Sequence, residues 1–165
     1  MDIASRQIGL IASLGSVALL GGAWLFQALG YAPCAMCIWQ RYPHAVAIGI
    51  GFFILAGSKN KILFFAGSMA AATTASIGVY HTGVERDWWQ GPTSCTGSGL
   101  DASVDLLSTD VPINLVMCDE VAWEFFTLSM ASWNAVFSFV LAGIWLAAAL
   151  SRQITTNASD TGNTP

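Results

Sequence analysis

Four long apolar runs alternate with short polar punctuation along the chain. After Arg6 the next charge is Arg41, and residues 8–29 fill most of that gap with apolar side chains. Further apolar runs cover about 38–57, 62–80 and 132–150. At about 1.5 Å of helical rise per residue, each can cross a hydrocarbon core of about 30 Å. A surface helix of a soluble domain carries a polar face at helical spacing, and these runs carry none. In lipid the backbone must satisfy its own hydrogen bonds, so the runs read as helices. The pattern predicts an all-α integral membrane four-helix bundle occupying residues 1–152. Two outer loops, at about 30–42 and 81–131, complete it. A polar tail at 153–165, rich in Thr, Ser and Asn, reads as disordered.

Composition agrees with that pattern. Of 165 residues, 55% are hydrophobic and only 10% charged, against about a quarter charged in a soluble domain. A net charge of −4 leaves no basic footprint for nucleic acid. The first apolar run is longer than the core of a signal peptide, and no small-residue cleavage site follows it, so it reads as retained. Arg6, Lys59, Lys61 and Arg152 all fall at the same ends of the spans. The positive-inside rule then puts both termini in the cytoplasm. Gly21, Gly22, Gly49, Gly51 and the alanines at 70–72 suit close helix packing in lipid.

The four cysteines all fall in the outer segments: Cys34 and Cys37 in the first, Cys95 and Cys118 in the second. That distribution suits an oxidising compartment such as the bacterial periplasm. Four cysteines allow three pairings. Locality favours Cys34 with Cys37 and Cys95 with Cys118. Pro33 biases Ala32 away from helix, which starts the second helix near the cysteine motif. Cys37 then sits near a helix N-terminus, where the dipole stabilises a thiolate. Arg41, four residues on, lies one turn deeper on the same face. A fixed cation beside a thiolate at the membrane surface suits electron transfer.

Other chemistries compete for these residues. The cysteines can brace the loops as structural disulfides. A zinc site would use two tight ligand pairs, whereas Cys95 and Cys118 are far apart in sequence. Covalent haem attachment needs a histidine after Cys37, and Ile38 stands there. Arg41 alone would read as a snorkelling residue. His44 and His81 lie near outer span ends and read first as interfacial hydrogen-bonding groups. Trp88, Trp89, Trp123 and Trp133 resemble an aromatic belt. The stretch 104–117 mixes apolar residues with acids and reads either as a surface-lying amphipathic segment or as a partly buried loop.

The sequence Cys34-Ala-Met-Cys37-Ile-Trp-Gln40-Arg41 resembles the quinone-proximal motif of the bacterial disulfide bond formation protein B (DsbB) family. His81-Thr82, Gly91-Pro92 and Cys95 are similar to that family's second periplasmic loop. Cys118-Asp-Glu120 with Trp123, Phe125, Leu128, Met130 and Trp133 is similar to the approach to its last span. The resemblance covers about residues 8 to 150. It implies an inner-membrane thiol:quinone oxidoreductase with no metal. Such a protein reoxidises a periplasmic DsbA-like thioredoxin-fold dithiol and passes the electrons to the membrane quinone pool, with ubiquinone the expected acceptor. By the match, Cys95–Cys118 is the redox disulfide that meets the partner, and Cys34–Cys37 the one next to quinone. Arg41 becomes the quinone-side cation, and His81 matches a position near the quinone. Gln40 fits the family pattern with no role attached. The alternative from a different class is a membrane interaction protein with two purely structural disulfides.

Overall fold

A computed structural model describes residues 3–58, 60–92 and 117–161, with the backbone alone for 152–161. Among the described residues the chain forms four helices: α1 (Ile3–Ala28), α2 (Ala35–Leu55), α3 (Ile62–Glu85) and α4 (Met130–Thr161). A short antiparallel hairpin, β1 (Glu124–Phe125) and β2 (Leu128–Ser129), leads into α4. The all-α bundle expected from the apolar runs is therefore present.

Each helix packs on its sequence neighbours and α4 closes on α1, while α1 and α3 barely touch across the diagonal. Contacts fix the directions. Arg6 of α1 donates to the Leu55 carbonyl at the end of α2. Ser5 meets Ser151 of α4. At the opposite end Arg41 meets Gln27, and Thr82 meets Ser132. The bundle is up-down-up-down. One end holds the start of α1 and the end of α4, and the other holds Cys34, Cys37 and Cys118.

Burial is arranged as lipid requires. Ile11, Trp24, Phe52, Met69 and Val140 are exposed, while Ser13, Ser16, Thr74 and Ser138 are buried. Between helices in lipid no hydrophobic effect operates, so close packing and interhelical hydrogen bonds hold them together. Three segments, α1, α3 and 130–151 of α4, are long and apolar enough to cross a membrane. The remaining helix, α2, carries Gln40, Arg41, Pro43 and His44 near its start and packs between α1 and α3. These features fit a multi-pass membrane protein.

Two helix ends and a hairpin differ from the sequence reading. Helix α3 runs to Glu85 rather than stopping at 80, because nothing breaks it before the left-handed Asp87 (φ 56°). His81 is therefore helical and buried, not part of a loop. Helix α4 continues to Thr161, through most of the tail read as disordered. No Gly or Pro falls between Leu150 and Gly162 to stop it. The hairpin was not expected either. Its turn residues Phe126 and Thr127 both take positive φ (50° and 62°), a conformation usually given to Asn-Gly. Arg86 donates to the Thr127 carbonyl at 2.6 Å and the Phe125 and Phe126 rings meet edge-on at 4.4 Å, which offsets the strain. The stretch 104–117, apart from Met117, lies outside the described residues, as does Cys95.

Toward the end of the bundle away from the cysteines, Trp145, Phe64, Ile54 and Ala12 form a buried cluster, with Phe64 and Trp145 edge-to-face at 6.1 Å. Gly67 makes room for the Trp145 indole. A Cβ there would stand 2.6 Å from the ring. The rigid indole cannot yield as a flexible chain end would. Gly67→Ala should therefore destabilise the bundle by about 1–3 kcal/mol, as overpacking typically does. Gly21→Ala, where an added Cβ meets nothing within 4 Å, should be neutral or stabilising. Thermal unfolding of the detergent-solubilised protein checks both. Equal midpoints for the two variants would contradict the packing described.

Candidate functional site

Pro33 and Cys34 set the start of α2. Cys34 is extended (φ −75°, ψ 172°) and caps the helix, its sulfur accepting the Cys37 N–H at 3.3 Å. The Cys34 and Cys37 sulfurs lie 3.0 Å apart, both as free thiols. Cys34 is buried and Cys37 half-buried. Two positions between the cysteines thus bring both sulfurs together on the first helical turn.

Cys118 is fully buried and disulfide-bonded. It enters the bundle from the second outer loop, where it joins Cys34, Met36 and Val84 in one cluster. Its sulfur, that of Cys34 and a ring nitrogen of His81 all lie within 4.8 Å of one another. Such a trio can ligate a soft cation. With the Cys118 sulfur engaged in a disulfide, a three-ligand site would require its reduction first. The arrangement as it stands brings a disulfide sulfur beside a thiol, which is the geometry of exchange.

His81 faces this sulfur group. Its Nε2 is 3.5 Å from Cys34 Sγ and 3.8 Å from Glu85 Oε1, and a backbone hydrogen bond joins it to Cys118. Ser129 donates to the other Glu85 oxygen. On its far side, His81 Nδ1 is 3.0 Å from Gln40 Nε2. Asn134 Nδ2 donates to Gln40 Oε1 at 2.7 Å, so Gln40 presents its amide N–H groups to His81 Nδ1 and the Met36 carbonyl. His81 Nδ1 is then an acceptor and Nε2 carries the proton, with the Cys118 backbone and Cys34 Sγ both within its reach.

On the other side of α2 lies a cavity of about 450 Å³. It falls within the range of about 300–1,000 Å³ usual for small-molecule sites. Its walls come from α1, the outer end of α2, the hairpin approach and α4, and include Cys37, Arg41, His44, Trp123, Trp133 and Phe137. No α3 residue lines it. Cys37 and Arg41 thus share this wall, as their spacing suggests. Arg41 Nη1 donates to Gln27 Oε1 at 2.7 Å and Nη2 to the Ala23 carbonyl, while Nε has no partner among the described residues. His81 does not reach the cavity: Gln40 stands between.

Sequence reasoning brought Cys37 and Arg41 together correctly in space. It missed the buried polar chain of Gln40, Asn134 and His44. His44 Nε2 lies 2.9 Å from Asn134 Oδ1, and Thr74 donates to the Gln40 carbonyl at 2.9 Å. The signal was present as isolated amides and a histidine inside apolar runs, which lipid tolerates only when they are paired.

A family model described as disulfide bond formation protein DsbB matches residues 5–148. The chain belongs to the DsbB family. Similar relatives bear the same description. "Disulfide bond formation protein B 1" of Pseudomonas aeruginosa is 33% identical over 81% of this chain and 88% of its own. "Disulfide bond formation protein B" of a Polaromonas species is 26% identical over 92% and 96%. No solved structure matches the chain. DsbB membership makes it a disulfide-forming, oxidoreductase-type membrane protein.

The two thiols of the CxxC pair in this DsbB-family site should differ in reactivity. The hydrogen bond to Cys37 and burial push the Cys34 thiol up from its ordinary pKa, so Cys34 carries little thiolate at neutral pH. After reduction in detergent at pH 7, iodoacetamide should modify Cys37 at least about tenfold faster than Cys34, because the thiolate is the reactive form. Peptide mass spectrometry over time reads the two rates. Faster modification of Cys34 would contradict the geometry.

Proposed function

We propose that this protein is an inner-membrane thiol:quinone oxidoreductase, with both termini cytoplasmic and its thiol end facing the periplasm. It reoxidises a DsbA-like thioredoxin-fold dithiol and passes the electrons to a membrane quinone, ubiquinone being the expected acceptor. The observation that carries the reading is the position of the CxxC pair. Cys34 faces the Cys118 sulfur and His81 on one side, and Cys37 lines an apolar cavity with Arg41 on the other. Bracing the loops would need neither the cavity nor the cation.

The cavity fits a quinone on this chain's own terms. Its lining is mainly aromatic and aliphatic, and two lining residues, Arg41 and His44, hold buried nitrogens without partners. When bound there, the quinone supplies two-electron acceptor chemistry. Arg41 supplies a cation and an unengaged N–H toward a ring oxygen that gains negative charge. Cys37 is the cysteine that lines the cavity and would face a quinone held there.

A partner thiolate attacks the Cys95–Cys118 disulfide at Cys95, forming a mixed disulfide and releasing Cys118 as thiolate. The partner's second thiol then closes the partner's own disulfide, and Cys95 and Cys118 are left reduced. Cys118 thiolate attacks Cys34 in the oxidised Cys34–Cys37 pair and releases Cys37. Cys95 then attacks Cys118, restoring Cys95–Cys118 and freeing Cys34. Two electrons and two protons now reside on Cys34 and Cys37. His81 Nε2–H steadies charge on Cys34 during these exchanges. Loss of both electrons and both protons to the acceptor regenerates the Cys34–Cys37 disulfide.

Two measurements test this. With decylubiquinone, the purified protein should reoxidise a reduced DsbA-like dithiol. Arg41→Ala should slow this by about 10–100-fold, the loss of one charge-assisted hydrogen bond of about 1.5–3 kcal/mol. Arg41→Lys should recover part of it, since a point charge replaces a planar fork. Wild-type rates in both variants would remove Arg41 from the reaction.

Trapping tests the entry point. A partner lacking its resolving cysteine should form a stable mixed disulfide through Cys95 when Cys118 is replaced. Cys118 is fully buried in one cluster with Cys34, Met36 and Val84, which leaves Cys95 as the sulfur of that pair for an outside thiolate to meet. Complexes through Cys118 or Cys34 and never through Cys95 would overturn the relay order.

A further inference from the structure

The chain of polar side chains behind the cavity has one direction. Gln40 Nε2 is committed to the Met36 carbonyl and His81 Nδ1, so its Oε1 accepts from Asn134 Nδ2. Asn134 also gives an N–H to Thr74 Oγ1 at 3.3 Å. Its Oδ1 is thereby the atom turned to His44 Nε2, 2.9 Å away, with Ser138 Oγ also within reach of both. His44 Nε2 must then carry the proton. What remains is Nδ1: a lone pair, on a side chain only 3% exposed, at the cavity wall, with no partner among the described residues. A buried polar atom without a partner is costly, so it marks a place where a ligand group completes the bonding.

We propose that His44 binds a ring oxygen of the quinone as an acceptor, and so selects the reduced ring, whose oxygen carries a hydroxyl, over the oxidised one, whose oxygen is a bare carbonyl. The inference rests on the quinone reading of the cavity and deepens it. Arg41 and His44 lie three residues apart on α2 and so on one face, about 5–6 Å between their Cβ atoms. Arg41 Nε is an unengaged donor and His44 Nδ1 an unengaged acceptor. A hydroxyl accepts one hydrogen bond and donates another, and the pair offers both halves. A carbonyl oxygen satisfies Arg41 alone and turns lone pairs toward lone pairs at Nδ1. Tighter binding of the quinol raises the potential of the bound couple, which draws electrons from the Cys34 and Cys37 thiols. A tenfold preference corresponds to about 30 mV for a two-electron couple. His44 is thus a selectivity residue for the acceptor, positioned by Asn134 and, through it, by Gln40.

Binding measurements separate this from a structural role. The parent is the full-length chain with Cys37→Ser, which keeps His81 and Cys34 in place and cannot pass two electrons to a ring. Decylubiquinone and decylubiquinol are titrated separately in detergent, read by quenching of tryptophan fluorescence. His44→Leu should weaken quinol binding about tenfold and leave quinone binding within about twofold, the loss of one hydrogen bond. Asn134→Leu removes the group that fixes the imidazole and should also lower the quinol-to-quinone affinity ratio; it serves if His44→Leu does not fold. If the parent binds both rings and the ratio is unchanged in both variants, His44 has no such role while the quinone reading stands. If His44→Leu loses quinone more than quinol, His44 is a donor and the proposal is overturned. If the parent binds neither ring, the quinone reading and this inference both fail.

Discussion

An amide buried among apolar helices must find partners for all its polar atoms, because lipid offers none. Gln40 is where that constraint is sharpest. Its side chain reaches α3 through His81, α4 through Asn134 and its own helix through Met36. Its carbonyl accepts from Thr74 of α3. Pro43, three residues on, lacks the N–H that would bond the Trp39 carbonyl and loosens the helix there. Leaving any one of these groups unpaired would cost about 1–3 kcal/mol, so the three helices are held in one register at this level. The same bonds set which nitrogen of each histidine carries its proton. Bundle assembly and site chemistry therefore share one side chain.

The spans were legible because lipid imposes a coarse rule: long charge-free runs become helices, and that rule needs no knowledge of neighbours. The CxxC motif and Arg41 were legible for a related reason. Cys34, Cys37 and Arg41 lie within two turns of one helix, where spacing alone determines the shared face. The contacts of Cys118, His81 and Asn134 are long-range. Gln40 and Asn134 are 94 positions apart, and nothing in either local pattern reports the other. His44 reads locally as an interfacial residue and becomes a cavity residue only because Asn134 of α4 stands opposite. The hairpin escaped notice because its turn uses Phe126 and Thr127 in left-handed conformations that their side chains disfavour. Helix ends were misplaced where polar but helix-compatible residues followed the apolar run, as at His81–Glu85 and after Leu150.

Burial also decides which exchanges the site permits. An exposed CxxC pair in an oxidising compartment would meet every small thiol present. Cys34 is only 4% exposed, and Cys118, fully buried, shares its cluster. On the proposed relay, the attacking sulfur for Cys34 is already inside the same cluster, so proximity rather than thiol concentration sets the rate. An outside thiol would have to displace Cys118 or pass the aromatic wall of the cavity. On that proposal the partner meets Cys95 instead, and only the intramolecular step carries electrons inward. On the proposed reading, selectivity between partner and bystander thiols follows from access, and selectivity between oxidised and reduced rings from the hydrogen-bond polarity at His44. Both trace to polar groups that the surrounding lipid forces inward.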